Sequence, residues 1–280
     1  GYIISLTGLL PIEIITKAET ILKKAMGHMA TVNSTRAMAF AIKGLYYYQR
    51  SIKSPETMLL IRSLANRLVQ MYKHESGKDW EWFEGYLTYA NSILPESMLY
   101  AWLITGDKIY KDIALTSFNF LLSQTFNENG IEVISNKKWL VKGHKSGNFG
   151  EQPIDVAYTI MSLSKFYDEF RDEDYHQKMV TAFNWFLGSN RLHQIIYNPL
   201  TGGCYDGLEE NNVNLNQGAE STVSYLMARL TMEVYKNSAA RAIQKTEETL
   251  MSGKESWLGI SKKRISKFRM PSSASGRDTE

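Results

Sequence analysis

The feature that most constrains the fold is an alternation between two kinds of predicted helix. Segments 93–106 and 153–166 are apolar nearly all round, which is typical of helices that are buried on most sides. Segments 62–73 and 240–250 carry apolar residues on one face and charged residues on the other. Inner and outer helices are therefore expected to alternate along the chain.

Capping signals and apolar periodicity predict where the helices lie. Ser34 is a favourable N-cap, and Ser54 followed by Pro55 is a second helix start. The predicted helices cover about 11–27, 35 onward, 55–72, 93–105, 107–124, 153 onward, 172–187, 219 onward and 238 onward. One strand pair is predicted between 130–135 and 137–143.

The connections between these helices also alternate in length. Inner-to-outer links are short, whereas three outer-to-inner links are long: 73–92 (the first loop), 125–152 (the second loop) and 188–218 (the third loop). Inner helices begin near 35, 93, 153 and 220, which indicates a helical-hairpin repeat of roughly 60 residues. Consecutive antiparallel hairpins place the three loops at one end, above the N-termini of the inner helices.

This organisation predicts an all-α protein, an α/α toroid of helical hairpins with long loops on one rim. The hairpins are fewer than a complete six-hairpin ring needs, so the ring is incomplete or belongs to a larger assembly. An open α-solenoid has the same repeating unit, but long structured loops are usually functional and favour the toroid. The toroid domain is placed at 1–252, and the basic, Ser-rich segment 253–280 is expected to be a partly disordered tail.

Composition excludes several function classes. The chain is 44% hydrophobic and 22% charged, with no apolar run long enough to span a membrane and a start that reads poorly as a signal peptide. A single cysteine excludes an internal disulfide and is consistent with a cytoplasmic protein. No metal, cofactor, nucleotide or nucleic-acid motif is present, so none of these ligands is expected.

The three loops are rich in Trp, Tyr, Asn, Gln, Asp and Glu, a combination that fits a mono- or oligosaccharide. Aromatic faces pack on sugar rings, while amides and carboxylates take hydrogen bonds from hydroxyl groups. The residues expected to bind substrate are Asp79, Trp80, Trp82, Tyr89, Asn91, His144, Gln152, Tyr205 and Gln217.

Glycoside chemistry needs two carboxyl groups that flank the scissile bond. Each loop offers candidates, namely Asp79 or Glu84, Glu151 or Asp155, and Asp206 or Glu220. We expect Glu84 or Asp206 as one member of the pair and Glu151 or Glu220 as the other. Asp155 and Glu220 also lie near first helical turns, where a carboxylate can serve as a helix cap instead.

Several segments together resemble a known family. They are "DWEWFEGYLTYANSILPESML" (79–99), "GEQPIDVAY" (150–158), "AFNWFLGSN" (182–190), "YNPLTGGCYDGL" (197–208) and "VNLNQGAEST" (213–222). Over roughly 34–235 the chain resembles a bacterial six-hairpin, glycosidase-like toroid domain that occurs alone or fused to retaining glycosyltransferases. The resemblance implies a carbohydrate-active or carbohydrate-binding role, with a glycosyltransferase as a potential partner.

One position departs from that family. Relatives often carry an aspartate between the tyrosine and the asparagine, where this chain has Ala90 between Tyr89 and Asn91. If that aspartate is catalytic, this chain binds sugar without turning it over. A non-catalytic glycan-binding module therefore stands beside the hydrolase-like hypothesis.

Two further alternatives are weaker. An α-solenoid scaffold for protein partners predicts a large apolar groove instead of a polar pit. A sugar epimerase shares the barrel but usually relies on paired histidines, and only His144 is placed in a candidate loop.

Overall fold

A computed structural model describes residues 1–235, and helices account for most of them. The helices are α1 (Tyr2–Ser5), α2 (Ile12–Met29), α3 (Thr35–Ser51), α4 (Pro55–Glu75), α5 (Ile93–Thr105), α6 (Lys108–Thr125), α7 (Pro153–Phe170), α8 (Glu173–Phe186) and α9, which begins at residue 219 and is described to residue 235. The predicted all-α class is confirmed. The predicted helix near 238 and the predicted tail 253–280 lie outside the described residues.

Helices α1 to α8 and the part of α9 up to Met232 belong to a compact unit that spans Gly1–Met232. The predicted boundary between 252 and 253 therefore stays a prediction.

Within residues 1–235, six two-residue strands lie outside the helices. They are β1 (Tyr86–Leu87), β2 (Phe126–Asn127), β3 (Gly130–Ile131), β4 (Leu140–Val141), β5 (Gly207–Leu208) and β6 (Val213–Asn214). The pairs are antiparallel: β1 with β4, β2 with β3, and β5 with β6. The predicted pairing of 130–135 with 137–143 is wrong, because β3 closes a tight hairpin with β2 and β4 pairs with the first loop.

Local chemistry explains where the helices begin and end. The Ser34 hydroxyl accepts a hydrogen bond from the Ala37 amide at 3.4 Å, and Ser54 caps α4 through the Thr57 amide at 3.3 Å. The Asp107 carboxylate caps α6 at the Ile109 amide, 3.2 Å away. Gly106 ends α5 in the left-handed region, with φ at 71°, which glycine adopts without a steric penalty.

The hairpins stack through their inner helices. Helix α3 packs against α4 and α5, α5 packs against α6 and α7, and α7 packs against α8. Residues 93–101 of α5 are all buried, whereas α4 buries one stripe that includes Ile61, Leu64 and Leu68. The expected alternation of enclosed and amphipathic helices is present in this part of the chain, while closure into a toroid stays a prediction.

Helix α9 departs from the expected pattern. It buries Tyr225 and Ala228 on one side, but Val223, Leu226 and Leu230 are exposed. Within the described residues α9 is therefore enclosed on one side only, although its sequence is apolar enough for an enclosed inner helix.

A buried carboxylate links the inner helices. Glu96 of α5 is fully buried and pairs with Lys43 of α3, whose Nζ lies 3.0 Å from Oε1. The Tyr100 hydroxyl donates to the same carboxylate at 3.0 Å, and the Ser162 hydroxyl of α7 donates at 3.4 Å. A buried charge costs free energy unless it is paired and hydrogen-bonded, and this set of donors meets that requirement.

This pairing predicts a large difference between two charge deletions. Glu96→Ala leaves the Lys43 ammonium without its partner, and breaking a buried pair in this way costs about 3–5 kcal/mol. Glu19→Ala removes an exposed pair with Lys23 on α2 and should leave the urea midpoint almost unchanged. Urea unfolding followed by circular dichroism measures both variants, and equal midpoints would contradict a stabilising role for Glu96.

Candidate functional site

Backbone pairing holds the three loops together. Leu87 of the first loop pairs with Leu140 of the second through β1 and β4. The Glu151 amide at the end of the second loop donates to the Leu208 carbonyl of the third at 3.1 Å, and the Leu208 amide donates back at 3.0 Å. The three loops therefore share one side of the helical hairpins, which agrees with the rim expected from the repeat.

Arg36 is the central cation of this rim. It lies at the start of α3 and is buried. Its guanidinium donates to Glu84 Oε2 at 2.8 Å, to the Tyr89 carbonyl at 2.8 Å and to Asn91 Oδ1 at 3.1 Å. The Thr35 hydroxyl donates to the other oxygen of Glu84 at 2.6 Å. Glu84 is therefore neutralised by an ion pair, and Asn91 is engaged within the protein.

Asp155 lies beside this cluster, in the first turn of α7. Its Oδ1 accepts a hydrogen bond from the Ala90 amide at 2.6 Å, and Ala90 has φ at 46°, in the left-handed region. Burial raises the pKa of Asp155 to about 7; the charge of Glu220 adds to the rise, while the Ala90 amide and Arg36 oppose it. A carboxyl group from α7 thus lies against the backbone of Ala90.

Glu151 is buried and held by other side chains. The indole N–H of Trp185 donates to its Oε2 at 2.9 Å, and Arg191 Nε lies 3.7 Å from Oε1. Burial raises the pKa of Glu151 to about 7, against the opposing effects of Trp185 and Arg191. The carboxyl group connects the second loop to α8 and to the third loop.

Asp206 serves as an anchor for the start of α9. It accepts hydrogen bonds from the Gly218 amide at 2.9 Å, from the Ser221 hydroxyl at 2.7 Å and from the Asn216 amide group. Although partial burial opposes them, these hydrogen bonds hold the pKa of Asp206 below its usual value. Its oxygens are therefore occupied by the protein, which suits a cap better than a general acid.

Other predicted residues of the third loop are engaged locally. Gln217 accepts from the Thr201 hydroxyl at 2.6 Å, and Tyr205 accepts from the Asn198 amide group at 3.0 Å. Cys204 is buried, and burial together with the charge of Asp206 raises its pKa to about 12. It remains a thiol at neutral pH and is not an activated nucleophile.

A polar cavity of about 330 Å³ brings several predicted residues together. We call it the acidic cavity, because four carboxyl residues and a single lysine line it. Its predicted members are Glu151, Gln152, Asp206 and Glu220, and they are joined by Asn136, Lys137, Glu209 and Asn214. Glu220 is exposed at the start of α9. Glu84 and Asp79 are not part of this lining.

The aromatic residues of the first loop divide into two groups. Trp82 is fully buried against Phe83 and Phe120, and Trp80 is buried with its indole N–H donating to the Glu84 carbonyl at 2.8 Å. This burial corrects the expectation that both rings offer stacking faces to a sugar. Tyr89 remains exposed, with the guanidinium of Arg36 5.2 Å from its ring centroid.

Two histidines lie in cavities of the loops. His144 lines a pocket of about 590 Å³ formed by 136–145. His193 lines a cavity of about 820 Å³ in the third loop, together with Tyr197 and Tyr205. His144 is therefore not the only histidine in a candidate loop, because His193 lies within the third loop, 188–218.

The sequence patterns do not predict the buried ion pairs that the inner helices form. Arg36 and Lys43 are not among the residues that the sequence patterns predict to be functional. Arg36 and Lys43 lie seven positions apart on α3, a spacing that puts both on one helix face and offered a signal. Their acidic partners Glu84 and Glu96 come from distant segments, which no local pattern reveals.

Comparison with known proteins supports the fold. Neither protein-family models nor curated protein sequences match the chain. Among solved structures it is similar to a sugar epimerase from a ruminal bacterium, with a TM-score of 0.52 and 14% identity. The match covers 70% of this chain and 54% of that one, so the chain spans about half of the length of the epimerase structure. At this identity the likeness shows the fold alone.

Two absences apply to the part of the chain that the structure describes. No helix within residues 1–235 combines the length and the apolar content that a membrane span requires. In the same residues no three His, Cys, Asp or Glu side chains are grouped so that they could hold a metal ion.

The burial of Trp82 predicts that it contributes to stability. Trp82→Ala removes a fully buried indole and should lower the free energy of unfolding by about 3–5 kcal/mol. Trp139→Ala removes a ring that is 50% exposed and should cost less than about 1 kcal/mol. Urea denaturation of the two variants checks this order, and a Trp82 variant as stable as the Trp139 variant would contradict the burial.

The pKa of Asp155 predicts a pH-dependent stability. A carboxyl group whose pKa is higher in the folded state than its ordinary value of 3.8 stabilises the fold fully below pH 3.8 and loses that contribution as pH rises to about 7. In Asp155→Asn, whose amide oxygen can still accept from Ala90, this loss is absent. The difference in unfolding free energy between variant and wild type should therefore shift in favour of the variant between pH 4 and pH 7.

Asp206→Asn provides the control of opposite sign. The pKa of Asp206 is lower in the folded state than its ordinary value of 3.8, so the ionised carboxylate stabilises the fold above pH 3.8. This stabilisation is lost only as the pH falls through the folded-state pKa. This variant should show a constant deficit between pH 5 and pH 8, measured by urea titrations at each pH. A parallel shift in both variants would contradict the assignment to Asp155.

Proposed function

We propose that this chain is a carbohydrate-active protein whose saccharide ligand occupies the acidic cavity at the N-terminal ends of the inner helices. The observation that carries the proposal is the lining of this cavity, which brings the amides of Gln152 and Asn214 together with the exposed carboxylate of Glu220. Asp155 lies outside this lining, three residues after Gln152 in the first turn of α7; its carboxyl group is buried, and burial and the charge of Glu220 raise its pKa to about 7 against the effect of Arg36. Perturbed carboxyl groups in or beside a cleft are typical of functional sites.

The cavity lining supports a ligand rich in hydroxyl groups. Side chains of Asn136, Gln152 and Asn214 supply amide donors and acceptors, and Glu220 supplies carboxylate acceptors. Its volume of about 330 Å³ lies at the lower end of the range for small-molecule sites. A polar cavity of this kind also argues against the α-solenoid scaffold, which requires a large apolar groove.

The chemistry proposed for the cavity is glycoside hydrolase-like. Of the four carboxylates expected to be catalytic, Glu84 is paired with Arg36, Glu151 is held by Trp185, and Asp206 caps α9. Glu220 is exposed and lines the cavity, so it becomes the nucleophile or base. Asp155, whose pKa of about 7 leaves it partly protonated at neutral pH, becomes the general acid.

A sugar epimerase is the second candidate, and the structural similarity favours it. The solved structure that this chain resembles is described as a sugar epimerase. Epimerisation needs groups that remove and return a proton, and His144 and His193 add bases to the carboxyl groups already present in the loops. The glycan-binding module associated with a glycosyltransferase is the outcome to expect if no turnover accompanies binding.

One experiment separates these functions. The full chain is incubated in D2O with a panel of oligosaccharides, and NMR follows new reducing ends, which report hydrolysis, and deuterated epimers, which report epimerisation. Asp155→Asn and Glu220→Gln should each lower turnover by about 100-fold or more, because each removes an acid–base group. Glu128→Gln, an exposed carboxylate in the β2–β3 turn, should leave turnover unchanged.

Calorimetry on the same panel decides the remaining case. Binding without product supports the module, and the variants then change affinity alone. If no saccharide binds or reacts, or if Glu128→Gln reduces turnover as much as Glu220→Gln does, the proposed site is wrong.

A further inference from the structure

We propose that the pocket formed by 136–145 binds an anionic saccharide residue, whose ring packs on Trp139 and whose acidic group is held by Lys138 and Lys145. The proposal rests on the carbohydrate function proposed above and specifies its substrate class. The acidic group is a carboxylate, a sulfate or a phosphate, since each of these pairs with lysine ammonium groups. We call this cavity, of about 590 Å³, the basic pocket.

The charge of the basic pocket has one sign. Lys137, Lys138, His144 and Lys145 line it, and no acidic residue does. Lys137 Nζ lies 3.5 Å from Glu209, whereas Lys138 and Lys145 have no acidic partner among the described residues. Two ammonium groups beside one cavity without a counterion inside the protein favour an anionic ligand.

Trp139 supplies the apolar surface in this pocket. Its side chain is 50% exposed, although Tyr86 stacks on it with ring centroids 6.0 Å apart. Pairing of β1 with β4 brings these two rings together from different loops. An exposed indole held in place by a neighbouring ring is suited to packing against the C–H face of a sugar.

The backbone of the pocket is preorganised. The Ser135 hydroxyl accepts from the amides of Lys137 and Lys138 at 3.0 and 3.1 Å, and the Gly147 amide donates to the Lys138 carbonyl at 3.1 Å. At Gly150, φ is 85° and a Cβ atom would lie 2.5 Å from Asn136 Oδ1, so only glycine permits this close approach. Binding therefore does not have to order the loop first, which reduces its entropic cost.

The basic pocket adjoins the acidic cavity. Asn136 and Lys137 line both of them. One saccharide chain can therefore place an anionic residue against Trp139 and its neighbouring residue beside Glu220. The separation of charge between the two cavities orients such a chain, because the anionic residue is repelled from the carboxyl groups of the acidic cavity.

The test is calorimetric titration of the full chain with matched pairs of probes. The pairs are oligogalacturonate and its methyl ester, a sulfated disaccharide and its desulfated form, and glucose 6-phosphate and glucose. At least one charged member should bind tenfold or more tightly than its neutral partner, and the pair that shows this identifies the acidic group. Added salt should weaken only the charged member, because salt screens exposed charges.

Variants test whether the saccharide binds in the basic pocket. The double variant Lys138→Gln, Lys145→Gln should lose the preference for the charged probe, while Trp139→Ala should weaken both members of a pair. The matched control, Lys53→Gln with Lys73→Gln, removes the same charge from exposed lysines outside the pocket and should preserve the preference.

Several outcomes would overturn the inference. Neutral probes that bind as well as charged ones would contradict the substrate class while leaving the carbohydrate function intact. Inorganic phosphate or a short oligonucleotide that binds as tightly as the charged saccharides would show a general anion site. A Lys138, Lys145 double variant with unchanged preference would place the binding elsewhere, and absence of saccharide binding would overturn both proposals.

Discussion

The arrangement of the rim depends on the buried guanidinium of Arg36. It joins α3 to the first loop by hydrogen bonds to Glu84, Asn91 and the Tyr89 carbonyl, and its charge reaches Asp155 on α7. A planar group with five donors can satisfy several partners at once, which a lysine at this position could not do. Since a buried cation must be paired, the first loop has little freedom to move away from the helix ends while the protein is folded.

The carboxyl groups of the rim differ in burial and in their hydrogen-bond and ion-pair partners. Asp206 accepts three hydrogen bonds and is held ionised, whereas burial raises the pKa of Asp155 and Glu151 to about 7. Glu84 has a guanidinium partner, and Glu220 remains exposed. In the function proposed above, Asp155 and Glu220 are the pair that transfers protons, while Glu84, Glu151 and Asp206 hold the loops in place.

Two neighbouring cavities of the loops differ in the charge of the residues that line them. Four carboxyl residues line the acidic cavity, three lysines line the basic pocket, and Asn136 and Lys137 line both. The same backbone segment thus contributes to both sites, held by Ser135 and by the close approach of Gly150. An anionic saccharide that contacts both cavities gains specificity, because the lysines attract its acidic group and the carboxylates repel it.

The sequence by itself determined the helices and the side on which the loops lie. Caps such as Ser34 and Ser54, and the alternation of enclosed and amphipathic segments, are local signals that the structure confirms. Only the tertiary structure decided the orientation of the loop side chains. Trp82 turned inward, β4 paired with β1, and Asp155 came to lie against Ala90. These outcomes depend on partners distant along the chain, and a loop without helical or strand periodicity carries no local signal of which side chains face the core.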